Sequence, residues 1–204
     1  MIIITKTQEL IDFCKKCSAY EYVTLDTEFL RERTYYSKLC LVQMAHPGNT
    51  EDSAVLIDPL SPDLSLDPLY ELFKNPNVVK VFHAARQDLE IFFIDKKIIP
   101  FPFFDTQVAA MVCGFGEQVG YEKLVRSICN EGLDKSSRFT DWSARPLSNK
   151  QMHYAIGDVT YLREIYEFLS NKIKDNKRQA WVEEELKILM DPETYIIDPK
   201  YAWR

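Results

Sequence analysis

The stretch Tyr22–Phe29, with the sequence YVTLDTEF, constrains the fold more than any other segment of the chain. Its aromatic and β-branched residues follow an amphipathic segment and predict a buried strand. Because strand side chains alternate between faces, Asp26 and Glu28 are expected on one side and Thr27 on the other. Two carboxylates on one face repel each other unless a cation lies between them. The stretch therefore predicts a cation site or, as the alternative, a strand that ends in solvent.

The composition fits one globular domain and argues against several other classes of protein. The chain has 204 residues, of which 46% are hydrophobic, and a formal net charge of −6. That charge argues against an extended basic surface for duplex nucleic acid. There is no apolar run of the roughly 20 residues that span a bilayer, and the first residues lack the basic flank of a secretory signal. Five scattered cysteines predict reduced thiols, and we expect a cytoplasmic protein without membrane association.

Periodicity and turn residues predict an α/β fold. Strands are predicted at 22–29, 38–45, 53–58, 78–82 and 103–105. Helices are predicted at about 7–20, 67–74, 85–94, 106–113, 121–130, 149–174 and 178–190. The short connection between the first two strands indicates antiparallel pairing, and the whole pattern indicates a mixed five-stranded sheet flanked by helices. We therefore predict one domain over residues 1–190 and an irregular tail over 191–204.

Two further acidic motifs follow the first. Asp88 stands one turn into the helix that begins after His83, in the sequence HAARQD. Asp158 lies in the helical sequence YAIGDVTYL, where the i,i+4 spacing places Tyr154 and Asp158 on one face. A lone helical aspartate is usually a solvated charge, but this one has apolar neighbours on both sides. Four acids without clustered cysteine or histidine suit a hard divalent cation such as Mg²⁺ or Mn²⁺.

The three motifs resemble those of ribonuclease D, in the tyrosine variant of the DEDD superfamily of 3′-5′ exonucleases. Other segments that look like ribonuclease D are RTYY from Arg33, LVQ from Leu41, LIDP from Leu56, DTQ from Asp105, LDKS from Leu133 and TDWSARPL from Thr140. Nearly the whole chain is covered, and the order and spacing of these segments make the resemblance specific. The family usually continues into helical HRDC domains (helicase-and-RNase-D C-terminal type), and this sequence stops before them. We therefore expect the catalytic part of a longer chain, rather than a short family member.

The resemblance implies a ribonuclease H-like fold and a metal-dependent 3′-5′ exoribonuclease. Such an enzyme releases nucleoside 5′-monophosphates from single-stranded RNA 3′ ends, with tRNA precursors as the implied substrates. The family uses two divalent ions, Mg²⁺ or Mn²⁺. In that arrangement Asp26 bridges both ions, Glu28 and Asp158 complete the site of the water-activating ion, and Asp88 holds the second. Tyr154 orients the attacking water. No protein partner is implied.

Residues beside the motifs are predicted to contact the RNA: Phe29, Leu30, His83, Lys135, Arg138 and Arg145. The aromatic and apolar pair next to Glu28 can stack on or wedge against terminal bases, with core packing as the alternative. The three basic residues can contact phosphates, with a solvated loop as the alternative. For the histidine, a hydrogen bond at the start of the helix is favoured over catalysis.

The third motif leaves a choice between two side chains. His153 stands five residues before Asp158, the spacing of the superfamily's histidine branch, and Tyr154 stands four before it. Four residues of regular helix advance about 400° and five about 500°, so Tyr154 is predicted to face with Asp158. Two other functions also stay open, a DNA 3′-5′ exonuclease of the proofreading type and a catalytically inactive nucleic-acid-binding module. The RTYY and DWSARP segments favour ribonuclease D over the first, and the complete set of acids disfavours the second.

Overall fold

The computed structural model describes residues 1–31, 36–134, 137 and 140–196. Its strands are β1 (Ile2–Ile4), β2 (Tyr22–Leu30), β3 (Lys38–Ala45), β4 (Ala54–Ile57), β5 (Val79–Phe82) and β6 (Phe103–Asp105). Within this part of the chain they form one mixed sheet in the order β1-β4-β3-β2-β5-β6. The predicted α/β class and helix-flanked mixed sheet are confirmed, and the sheet has six strands instead of the predicted five.

The helices cover the sheet on both faces and match the predicted segments to within a few residues. They are α1 (Thr7–Cys17), α2 (Asp67–Lys74), α3 (Arg86–Lys96), α4 (Thr106–Val112), α5 (Tyr121–Leu124), α6 (Asn149–Asp175) and α7 (Gln179–Met190). α5 continues into a π-helical turn at Val125–Cys129, so the helix predicted at 121–130 changes its hydrogen-bond pattern midway. Across the described ranges, none of the helices combines the length and apolarity needed to cross a bilayer.

The additional strand is β1, which the sequence pattern did not reveal. Its three isoleucines pair in parallel with β4, from Ile2 opposite Val55 to Ile4 opposite Ile57. Only the last of them is buried, because β1 lies at an edge of the sheet. Three residues are too few to display the two-residue period by which a strand is recognised.

β2 lies near the middle of the sheet and has different neighbours along its length. It pairs in parallel with β5 from Tyr22 to Thr24, and it pairs antiparallel with β3 from Thr24 to Leu30, as predicted. In the described residues the ladder with β5 ends at Thr24. The half of β2 that carries Asp26 and Glu28 therefore extends past the end of β5, where the chain turns into α3.

The segment after α7 differs from the predicted irregular tail. Pro192–Tyr195 forms a 3₁₀ turn, and Tyr195 is only 2% exposed. Its ring centroid lies 5.6 Å from that of Phe93 on α3, and its hydroxyl donates to the carbonyl of Leu189 at 2.6 Å. An aromatic residue beyond 190 thus belongs to the core, whereas residues 197–204 lie outside the described ranges.

Candidate metal centre

Three carboxylates converge where α6 crosses β2. Oxygen atoms of Asp26, Glu28 and Asp158 all lie within 4.8 Å of one another, and the three side chains are half-buried. The alternation of β2 places the first two on the face that α6 covers, and α6 supplies the third. The structure thus brings together three of the four predicted acids in a group that is able to hold a cation.

A buried hydroxyl group joins α6 to β2 next to the three carboxylates. Thr24 is fully buried, and its Oγ1 donates to the carbonyl of Val159 at 2.7 Å. Thr24 precedes Asp26 by two residues on the same face of β2, and Val159 follows Asp158 directly. This hydrogen bond therefore sets the separation between the two aspartates, and sequence reasoning did not identify it.

The fourth predicted acid, Asp88, lies on α3, and a side chain on the other face of β2 contacts it. The hydroxyl of Thr27 donates to the Asp88 carboxylate, so the residue predicted to point away from the acid pair points towards this fourth acid. Asp88 is 6% exposed, and burial raises its pKa to about 7. The three-carboxylate group does not include Asp88, which agrees with the separate role that the resemblance implies for it.

Asp105 positions the start of α3, and sequence reasoning missed this role. Its buried carboxylate accepts hydrogen bonds from the backbone N–H groups of Ala84 at 3.0 Å, Ala85 at 2.9 Å and Gln107 at 2.7 Å. Ala84 has φ 56°, a left-handed conformation that is uncommon for alanine and that these bonds stabilise. The signal in the sequence is an aspartate between a strand and a helix, which is typical of an N-cap. Asp105 thereby orients the first turn of α3, which carries Asp88.

The electrostatics of the group match a site for a hard divalent cation. Burial raises the pKa of Asp26 well above its usual range, and the charges of Asp158, Asp88 and Glu28 raise it further. Crowded carboxylates of this kind are unfavourable unless a cation or protons neutralise them. Carboxylate oxygens without cysteine or histidine are the donors that Mg²⁺ and Mn²⁺ prefer. The residues present therefore fit the predicted metal.

Two clefts meet at these carboxylates. One has a volume of about 530 Å³ and the other of about 390 Å³. Asp26, His83 and Tyr154 line both clefts, and the predicted base contacts Phe29 and Leu30 line the larger one. A chain of nucleotides that spans the junction would place a phosphodiester beside the acids.

The geometry of α6 distinguishes the two side chains of the third motif. Tyr154 is half-buried, with its ring centroid 6.0 Å from that of Trp142. His153 is exposed, and its Nδ1 lies 2.7 Å from the carbonyl oxygen of Asn149. The predicted orientation of Tyr154 towards Asp158 agrees with this arrangement, since both line the smaller cleft.

His83 contacts the first residue of α4 rather than the start of α3, the helix that follows it. Its Nδ1 lies 3.0 Å from Thr106 Oγ1, and its ring is tilted against Tyr121 with the centroids 5.5 Å apart. Burial lowers the pKa of His83, although the nearby Asp105 opposes that effect. At neutral pH the imidazole therefore offers hydrogen bonds rather than positive charge to the clefts.

The predicted phosphate contact of Arg145 is not supported by its surroundings. Its Nε and Nη2 atoms each lie 2.7 Å from a carboxylate oxygen of Asp58, and Nη2 also donates to the carbonyl of Cys40. This bidentate ion pair joins the loop before α6 to the end of β4, so neither a phosphate contact nor a solvated loop describes it. The other two basic candidates, Lys135 and Arg138, lie outside the described residues.

Comparison with known proteins gives consistent matches. The profile of the 3′-5′ exonuclease family matches residues 1–174. Ribonuclease D of Jannaschia sp. is 63% identical over 201 residues, which are 98% of this chain and 52% of that protein. Ribonuclease D of Granulibacter bethesdensis is 51% identical over 201 residues, which are 98% of this chain and 50% of that protein.

A solved structure supports the same relationship. The crystal structure of Escherichia coli RNase D, described as an exoribonuclease involved in structured RNA processing, superposes with a TM-score of 0.88 at 34% identity. The match covers 96% of this chain and 51% of that one. The chain thus spans about half the length of the curated relatives it matches.

Proposed function

Since the chain belongs to the 3′-5′ exonuclease family, we propose that it is a 3′-5′ exoribonuclease. It would hydrolyse single-stranded RNA from the 3′ end and release nucleoside 5′-monophosphates. The observation that carries this proposal is the group of Asp26, Glu28 and Asp158, whose oxygens lie within 4.8 Å of one another. Asp26 from this group lines both clefts, so the acids stand where a scissile phosphodiester would lie.

We propose two divalent ions, Mg²⁺ or Mn²⁺, at this centre. Asp26, Glu28 and Asp158 would hold one of them, and Asp88 together with Asp26 would hold the other. When bound, such ions lower the pKa of a coordinated water and stabilise negative charge on the phosphate and on the departing oxygen. Three elements position the four carboxylates, because β2 carries Asp26 and Glu28, α6 carries Asp158, and α3 carries Asp88.

The remaining residues of the site orient the reactants. Tyr154 lines both clefts, and its hydroxyl would hold the attacking water in line with the scissile bond. Phe29 and Leu30 line the larger cleft and would contact the 3′-terminal bases. Lys135 and Arg138 stay as proposed phosphate contacts.

The substrate we propose is RNA, with the 3′ ends of tRNA precursors as a natural target. The similarity to ribonuclease D supports RNA over DNA. The net charge of −6 supports a short single-stranded end over an extended duplex, because duplex binding requires many neutralised phosphates. All five cysteines are free thiols, which supports action in the reducing cytoplasm.

The test is an RNA with a 5′ label, incubated with Mg²⁺ or Mn²⁺ and either the wild type or Asp26→Asn. We expect a one-nucleotide ladder with the wild type and intact RNA with the variant, since the isosteric amide removes a charge that the cations require. Asp12→Asn is the matched control because Asp12 is exposed on α1 and lines neither cleft, so this variant should trim normally.

A DNA strand of the same sequence separates the proposal from the proofreading alternative. Preference for the DNA strand would replace the proposed substrate, and normal trimming by Asp26→Asn would refute the proposed site. Chromatography of the released nucleotides checks the product, which we expect to carry its phosphate on the 5′ oxygen.

A further inference from the structure

Gln43 on β3 carries a buried side-chain amide that has no hydrogen-bond partner in the described part of the chain. Its side chain is 0% exposed, and neither its Nε2 nor its Oε1 has a partner among the residues that the structure describes. Burying an amide in this way is unfavourable, and such groups are rare in folded proteins unless they serve another purpose. The remaining buried glutamine of the described chain, Gln151, shows the contrast, because its Nε2 donates to the carbonyl of Asp141 at 3.2 Å.

The strand register places Gln43 directly beside the candidate metal centre. Gln43 is paired with Asp26 of β2 on one side and with Leu56 of β4 on the other. Directly opposed residues of an antiparallel pair share a face of the sheet, with their Cβ atoms about 4.5–5.5 Å apart. The three-bond side chain of glutamine can bridge that separation. Its amide therefore lies within reach of the Asp26 carboxylate.

The neighbours of Gln43 along β3 on this face are apolar. Leu41 and Ala45 flank it along β3, two residues away on either side, and both are fully buried. α6 packs over β3 and contributes the buried side chains of Ala155 and Val159. Among the polar residues of β2 on this face, Asp26 lies directly opposite Gln43, whereas Thr24 and Glu28 lie diagonally. The Thr24 hydroxyl already donates to the carbonyl of Val159.

We propose that Gln43 is a positioning residue for Asp26: when the centre binds metal, the Gln43 amide donates a hydrogen bond to the Asp26 carboxylate, directly or through one bridging water. The bond would hold the carboxylate in the rotation that faces Glu28 and Asp158. Groups that hydrogen-bond a metal ligand in this way orient it and tune the site. This inference rests on the proposed function, because it assigns Asp26 to a metal centre that hydrolyses RNA.

The test compares Gln43→Met with the wild type, because methionine matches the length of glutamine and has no amide. Leu41→Met is the matched control, since Leu41 is buried on the same face of the same strand opposite Glu28. Three quantities are measured: the urea midpoint of unfolding in chelator, the Mn²⁺ concentration that gives half of the metal-induced thermal stabilisation, and kcat and KM on labelled RNA.

We expect the urea midpoint of Gln43→Met to equal or exceed that of the wild type, because the substitution removes an unpaired buried amide. We expect kcat to fall and the half-saturating Mn²⁺ concentration to rise by about 10- to 100-fold, with an unchanged KM for RNA. The control Leu41→Met should keep the wild-type values of all three quantities.

Two results would overturn the inference. One is a Gln43→Met protein with wild-type kcat and wild-type Mn²⁺ dependence; the other is a fall in the urea midpoint that accounts for the lost activity, which would show a packing role. Wild-type protein that fails to trim RNA would refute the proposed function instead. In that case the Mn²⁺ titration of stability, which needs no substrate, still decides whether Gln43 positions Asp26.

Discussion

Replacing Asp88 by asparagine should stabilise the metal-free protein at neutral and alkaline pH. Asp88 is 6% exposed, and its carboxyl group accepts a hydrogen bond from the Thr27 hydroxyl. Asparagine keeps the shape and can accept the same hydrogen bond through its Oδ1. The substitution therefore removes a buried charge without opening a cavity.

The pKa of Asp88 gives the size and sign of the effect. Burial raises it from the ordinary value of 3.8 to about 7, and this difference corresponds to about 4 kcal/mol at about 1.4 kcal/mol per pH unit. Because the folded state favours the protonated form, the stability that this group contributes is complete below pH 3.8 and is lost as the pH rises through about 7. Asparagine does not titrate, so the advantage of the variant should approach about 4 kcal/mol at pH 8 and disappear below pH 4.

The assay is urea unfolding followed by tryptophan fluorescence, in buffer with a chelator, at several pH values between 4 and 8. Asp12→Asn serves as the control because Asp12 is exposed on α1, and its unfolding curves should follow those of the wild type. Curves of Asp88→Asn that run parallel to those of the wild type at every pH would refute the argument from burial. Adding Mn²⁺ should reverse the ranking, since only the wild type keeps the full ligand set and gains the binding free energy.

Three further predictions concern catalysis, an ion pair and RNA binding. Tyr154→Phe should lower the single-turnover rate constant for trimming of labelled RNA by about 100-fold, while His153→Ala stays within about twofold of the wild type. Arg145→Met should lower the free energy of unfolding by about 3 kcal/mol in urea titrations, because it leaves Asp58 as an uncompensated, mostly buried charge; the folded fraction should keep its KM for RNA. Binding of single-stranded RNA should depend weakly on salt, with a log–log slope of about −2, and trimming should be distributive when excess unlabelled RNA is added as a trap.

Each of these predictions has a distinct contrary outcome. A crippled His153→Ala beside an active Tyr154→Phe would move the protein to the histidine branch of the superfamily. An Arg145→Met protein of normal stability but weakened RNA binding would restore the phosphate contact predicted from the sequence. Complete degradation of the labelled strands to mononucleotides in the presence of the trap would show a higher affinity for RNA than the net charge of −6 predicts.

The sequence predicts those parts of the candidate site that depend on local periodicity. Alternation along β2 is sufficient to place Asp26 beside Glu28, and the helical repeat is sufficient to place Tyr154 with Asp158. The predicted strands and helices carry these residues in the described structure because each segment has a strong pattern of its own.

Contacts between segments that are distant in the chain could not be predicted in this way. The hydrogen bond from Thr24 to the carbonyl of Val159 joins a β-branched strand residue to a mid-helix carbonyl, and neither shows a local signal. The ion pair of Arg145 with Asp58 has the same character, since an arginine in a loop looks equally suited to a phosphate or to solvent. Such pairs depend on how the helices cross the sheet, which a one-dimensional pattern does not specify.

The burial of Tyr195 limits where the domain can be truncated without loss of stability. A protease that cut after Met190 would release the aromatic ring that covers Phe93 on α3, and α3 is the helix that holds Asp88. We expect a fragment of residues 1–190 to be digested faster than one of residues 1–196 and to need more Mn²⁺ for half-maximal stabilisation. The last long helix therefore does not mark the end of the folded domain, which includes at least Tyr195.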